Sequence, residues 1–123
     1  MITTMRRAAA GLIVPVLAGC GGGSVFDLAV EGCVTDEDDG RHLYVTDEGS
    51  TLILRTEGEE SAGASFLVLW CVYDHLDMPE AITSRIGSTR ALDGTQTGTW
   101  DAYSASWTYH PNSGLNLIIE HTR

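Results

Sequence analysis

The sequence predicts an α+β fold: an antiparallel β-sheet of about five strands with one or two helices on one face, in the order ββααβββ. Three observations carry this expectation. Tyr103, Ala105, Trp107 and Tyr109 alternate with Ser104, Ser106 and Thr108, the period of a strand with one buried face. Residues 64–73 form an unbroken apolar run that continues to Leu76, long for a strand. Gly-, Pro-, Asn- and Asp-rich clusters punctuate the rest into short segments.

Taken in order, residues 25–34 mix apolar and acidic side chains and read as a first strand or an ordered arm. Asp36-Glu37-Asp38-Asp39-Gly40 is a highly acidic turn. With Gly40 as the glycine of a calcium loop, the first and last positions would fall on Thr35 and Thr46, which lack the carboxylates such a loop needs. A solvated turn is therefore expected. Residues 42–46 and 51–56 read as strands joined through Asp47-Glu48-Gly49-Ser50, where glycine supplies positive φ. Residues 58–63 are a polar loop. In residues 64–73 a helix would place Val68, Cys71, Val72, His75 and Leu76 on one stripe; the alternative is a strand buried on both faces. A second short helix follows, with Asp77 as its cap, Pro79 near its first turn, and Met78, Ile82 and Ile86 on a shared face. Residues 95–100 and 103–109 are strands. Pro111-Asn112-Ser113-Gly114 is a turn. Residues 115–120 return as the last strand, with Leu115, Leu117 and Ile119 on one face.

The chain begins with a basic pair, Arg6 and Arg7, followed by an apolar stretch over residues 8–17 interrupted by Pro15, then the small residues Ala18 and Gly19 before Cys20. This is the layout of a secretory signal. The stretch is roughly half the ~20 apolar residues a membrane-spanning helix needs. Leu17-Ala18-Gly19-Cys20 resembles the lipobox of bacterial lipoprotein precursors. The resemblance implies a signal peptide over residues 1–19, a diacylglyceryl group on the Cys20 sulfur, and cleavage just before Cys20. It also implies a lipidated Gly/Ser tether over residues 20–24 and a single extracytoplasmic domain over residues 25–123, anchored to the cell membrane. Two acyl chains anchor stably where one is marginal. Met5 is an alternative start, since Met5-Arg6-Arg7 keeps the basic end.

Removing Arg6 and Arg7 with the signal takes the net charge from −10 to −12. The chain has no lysine, and five arginines remain: Arg41, Arg55, Arg85, Arg90 and Arg123. Such a surface repels nucleic acid, which is not an expected partner. With Cys20 assigned to lipid, Cys33 and Cys71 remain, and in an oxidising compartment they are expected to form a disulfide. There is no CxxC and no histidine pair at ligand spacing, so neither a metal nor another cofactor is expected.

No G-x-S-x-G, HExxH or phosphate-cradling glycine loop occurs, so an enzyme is not the expected reading. Trp100, Tyr103, Trp107, Tyr109 and His110 crowd into one stretch. Tyr103, Trp107 and Tyr109 are expected to pack beneath the helices. Trp100 and His110, placed at a strand end, are the candidate surface for a peptide or glycan. The element order, Cys71 inside an apolar helix, and Leu92-Asp93-Gly94 before a strand pair are similar to the subtilisin-inhibitor-like family over residues 51–119. That likeness implies a sheet-and-helix plan. The family's reactive loop is clamped by its own disulfide, whereas residues 85–90 here contain no cysteine. The expected function is a membrane-anchored, non-catalytic binding or interaction module. A serine proteinase inhibitor-like domain is the alternative, and a small envelope enzyme the third.

Overall fold

The structure, a computed structural model, describes residues 24–122. Its elements are α1 (Val25–Cys33), a one-turn α2 (Glu37–Gly40), β1 (Leu43–Thr46), β2 (Thr51–Arg55), α3 (Phe66–His75), α4 (Glu80–Gly87), β3 (Gln96–Trp100), β4 (Tyr103–His110) and β5 (Gly114–His121). The α+β class and the five-stranded antiparallel sheet are as the sequence predicts. The element order is not fully so, because two helices precede the expected series.

The expected N-terminal strand or arm is a helix. Ser24, assigned above to the tether, is its N-cap: the Asp27 amide donates to Ser24 Oγ at 3.2 Å, and the Ser24 amide donates back to the Asp27 carboxylate at 3.0 Å. This reciprocal box starts the helix. Phe26, Ala29 and Cys33, at helical spacing, then bury one face. In the acidic turn, the Asp36 carboxylate caps α2 by accepting the Asp39 amide at 2.9 Å, and Thr35 Oγ1 donates to Asp39 at 2.9 Å. Those carboxylates sit at a helix N-terminus, where the backbone dipoles favour negative charge.

Residues 64–73 resolve in favour of helix. Ser65 caps α3, and Val68, Leu69 and Val72 are buried along it, with Leu76 just beyond. His75, expected on the core stripe, is exposed. Asp77 ends α3 rather than starting α4. It adopts φ +51°, its amide donates to Asp74 O at 3.2 Å, and the Met78 amide donates to Tyr73 O at 3.0 Å. This is a Schellman closure with aspartate where glycine is usual. The N-cap of α4 is Pro79.

The sheet order is β1-β2-β5-β4-β3. Register places Leu43, Leu54, Leu117 and Trp107 in one row across the sheet, and Leu52, Ile119 and Ala105 in the next. All are buried beneath the helices. The opposite face carries Tyr44, Ile53, Ile118, Ser106 and Thr97, none fully buried, so the helical layer covers one face. Gly98 lies beside Ala105 in the register, where a Cβ would stand 2.7 Å from Ile82 Cδ1, so it lets α4 approach the sheet. The disulfide Cys33–Cys71, with Cα atoms 5.7 Å apart, fastens the end of α1 to α3. Among the described residues, the buried hydrophobic ones all fall within residues 26–119.

Candidate functional site

Helices α3 and α4 leave a groove of about 1060 Å³ between them. One wall is α3, which contributes Phe66, Leu69, Trp70, Tyr73 and Asp74 at i, i+3, i+4, i+7 and i+8. The other is α4, with Glu80, Thr83, Ser84 and Gly87 on a similar stripe of small and polar residues. The floor is Thr56, Met78, Ile86, Tyr109 and Leu115. Phe66 and Trp70 are 58% and 60% exposed. They stand at i and i+4 on one face of α3, so their open surfaces adjoin. Burial pushes the Tyr73 hydroxyl up to about 12.

The charge of the groove is one-sided. Asp74 lies in the last turn of α3 and Glu80 opens α4, so the intervening turn brings both carboxylates to the same end. No arginine or histidine is among the lining residues. The lining also carries the hydroxyls of Thr83, Ser84 and Thr89, and with its aromatic faces and negative charge it offers shape and polarity to a ligand. A smaller hollow of about 170 Å³ lies on the open sheet face among Thr95, Ser106, Thr108 and Asn116.

Trp100 is not at this surface. It is only 8% exposed, and its Nε1 donates to Leu76 O at 2.9 Å, satisfying a carbonyl left over at the end of α3. The expected Trp100–His110 binding surface is therefore corrected: Trp100 packs at a tilt against Tyr103 in an aromatic group that includes Phe26. The core offered it both an apolar bed and an acceptor for its N–H, which a buried indole needs. His110 is exposed, and its Nδ1 accepts the Asn112 amide at 3.1 Å, so it serves the β4–β5 turn. Of the three aromatics expected beneath the helices, Trp107 is buried and Tyr103 half-buried, whereas Tyr109 reaches the groove. Trp107 Nε1 donates to Thr89 Oγ1 at 2.8 Å, and the Arg85 guanidinium lies over its ring at 5.4 Å.

Cys20 lies outside the described residues. Cys33 and Cys71 meet as expected, and His75 stands close to both. Their sulfurs are committed to each other and are not thiolate ligands. Residues 85–90 run from α4 into a pinned corner: Arg85 donates to Thr97 O at 2.6 Å and Thr89 Oγ1 donates to Arg85 O at 2.6 Å. They present no extended loop.

Sequence reasoning did not single out Phe66, Trp70 and Tyr73, which line the candidate groove. The available signal was surplus: α3 carries more apolar residues than one core stripe can hold, so a second apolar face had to point elsewhere. Among the described residues no helix is long and apolar enough to cross a membrane. No protein-family model, no curated protein and no solved structure matches this chain.

Proposed function

We propose that this chain is an extracytoplasmic lipoprotein, anchored through Cys20, whose small α+β domain is a binding module that takes its ligand in the groove between α3 and α4. The lipobox-like Leu17-Ala18-Gly19-Cys20 supports the anchor. The disulfide Cys33–Cys71 is in keeping with an oxidising compartment. One observation carries the binding reading: Phe66 and Trp70 stand open on a groove large enough for a small ligand or a peptide segment. Leaving such side chains in water forgoes roughly 1–2 kcal/mol of burial apiece, which a ligand covering them would recover.

Two measurements test the two halves separately. Metabolic labelling with a tagged fatty acid should mark the wild-type chain and leave Cys20→Ser unlabelled and uncleaved; a labelled Cys20→Ser chain refutes the anchor. Small aromatic fragments added to the isotope-labelled mature domain should shift amide resonances of α3 and α4 together. Shifts gathered on the open sheet face around Asn116 would refute the groove.

A further inference from the structure

We infer that the groove selects a cationic, apolar peptide segment: an aromatic or aliphatic side chain laid against α3, followed by a lysine or arginine at the Asp74–Glu80 end. The inference rests on the groove being the binding site and adds the chemistry of its occupant. The apolar wall of Phe66, Trp70 and Tyr73 runs along α3 and terminates at Asp74, while Glu80 faces the same end from α4. The site is thus bipartite, with aromatic surface first and a pair of carboxylates after it.

Among the described residues, no arginine forms an ion pair with Asp74 or Glu80. Among the described arginines, Arg41 pairs with Asp38 at 3.4 Å and Arg90 with Asp93 at 3.1 Å. Arg85 is held by Thr97 O and the face of Trp107. Arg55 projects from β2 and is not part of the groove lining. The field at the groove end is therefore negative, within a chain of net charge −10 that has no lysine. An ammonium or guanidinium group would meet two carboxylates there, and the open indole of Trp70 offers a cation a π face. The wall of Thr83, Ser84 and Gly87 has short side chains, and the space beside Gly87 is open, since a Cβ there would meet nothing within 4 Å. Acidic peptides and anionic lipid surfaces are repelled by the same groups. Two copies of this chain repel each other through their net charge.

The test uses the mature chain, residues 20–123, carrying Cys20→Ser so that it stays in solution. Three short capped peptides serve as probes, all with alternating leucine and phenylalanine, and with lysine, glutamine or glutamate at the remaining positions. Affinity is read by calorimetry, and contact by the Trp70 part of the emission, taken as the difference between this chain and its Trp70→Phe variant, which keeps Trp100 and Trp107. The lysine peptide should bind at least tenfold more tightly than the glutamate peptide, shift Trp70 emission to the blue, and weaken steeply with added salt. The double variant Asp74→Asn/Glu80→Gln should lose about five- to tenfold in affinity for the lysine peptide and leave the glutamine peptide unchanged, as expected for partly exposed charge pairs. Equal binding of all three peptides, unmoved by the double variant, overturns the charge selection while leaving the groove in place. Failure of every peptide to shift Trp70 overturns both the selection and the groove. A blue shift on neutral phosphatidylcholine vesicles alone, or a concentration-dependent dimer in sedimentation, overturns the peptide in favour of a lipid surface or a second copy.

Discussion

Breaking the Cys33–Cys71 bridge should remove a large part of the stability of this domain. The bridge spans a sequence separation of 38 residues. Chain-entropy bookkeeping for a loop of that length gives about 4 kcal/mol, arising mainly because the unfolded chain is no longer constrained. A domain of this size has about 5–15 kcal/mol in total. One kcal/mol moves the midpoint of such a domain by about 4–8 °C, so reduction should lower it on the order of 15–30 °C. Helix α1 should remain formed below the new midpoint, because Phe26 and Ala29 stay buried and Ser24 still caps it. The assay is thermal and urea unfolding, followed by circular dichroism, of residues 20–123 with the bridge intact against Cys33→Ala/Cys71→Ala. The urea slope should rise in the variant, since its unfolded state exposes more surface. A loss below about 1 kcal/mol, against the loop estimate, would refute the reasoning. So would two alkylatable thiols at Cys33 and Cys71 in protein taken from its native compartment.

Other expectations follow from particular contacts. Gly114→Ala should cost about 2–4 kcal/mol by strain and collision. The residue sits at φ +81°, and a Cβ there would press on the backbone of Thr56 and Glu57; chemical denaturation measures the loss. Tyr73, raised by burial to about 12, binds its proton more tightly folded than unfolded. Its contribution is therefore complete below the unfolded value near 10 and is lost as pH rises from there through about 12, so Tyr73→Phe should lose less stability over that window in melts at stepped pH. Asp93 is shifted the other way, held down chiefly by the Arg90 amide and also by its side chain. Its contribution is present above its ordinary value and lost as pH falls through the lowered one, so Asp93→Asn should flatten the acid limb of the same melts. The mature domain should leave subtilisin-like and trypsin-like proteinases fully active at equimolar concentration, because residues 85–90 are helix end and pinned corner; a stoichiometric block would restore the inhibitor reading.

Much of the fold was legible because period and punctuation agreed. The β4–β5 hairpin announced itself by the Tyr103–Tyr109 alternation and the Pro111–Gly114 turn, and both strands pair as read. What escaped was local polar chemistry. Ser24 looked like the end of a flexible tether, but three residues later Asp27 completes a capping box, and the helix it starts was read as an arm. Asp77 looked like a cap opening α4, yet its left-handed backbone closes α3. The site was harder still. Trp100 and His110 stand close in sequence to other aromatics, but strand geometry sends Trp100 inward to Leu76 O, while the open aromatics come from α3. An apolar run shows that a helix has too many hydrophobic residues for one stripe. It does not show which of them a partner helix will leave uncovered, since that depends on where α4 settles.

Fluorine NMR of the domain labelled with 5-fluorotryptophan tests the division of the tryptophans between core and groove without disturbing the fold. Trp70 is 60% exposed, Trp100 8% and Trp107 1%. Three resonances should appear. The one lost in Trp70→Phe should show a full solvent-isotope shift and strong broadening by a soluble gadolinium chelate, and the other two should show neither. A protected Trp70 signal, or a Trp100 signal as open to solvent as that of Trp70, would contradict the proposal that the α3–α4 groove is the binding site.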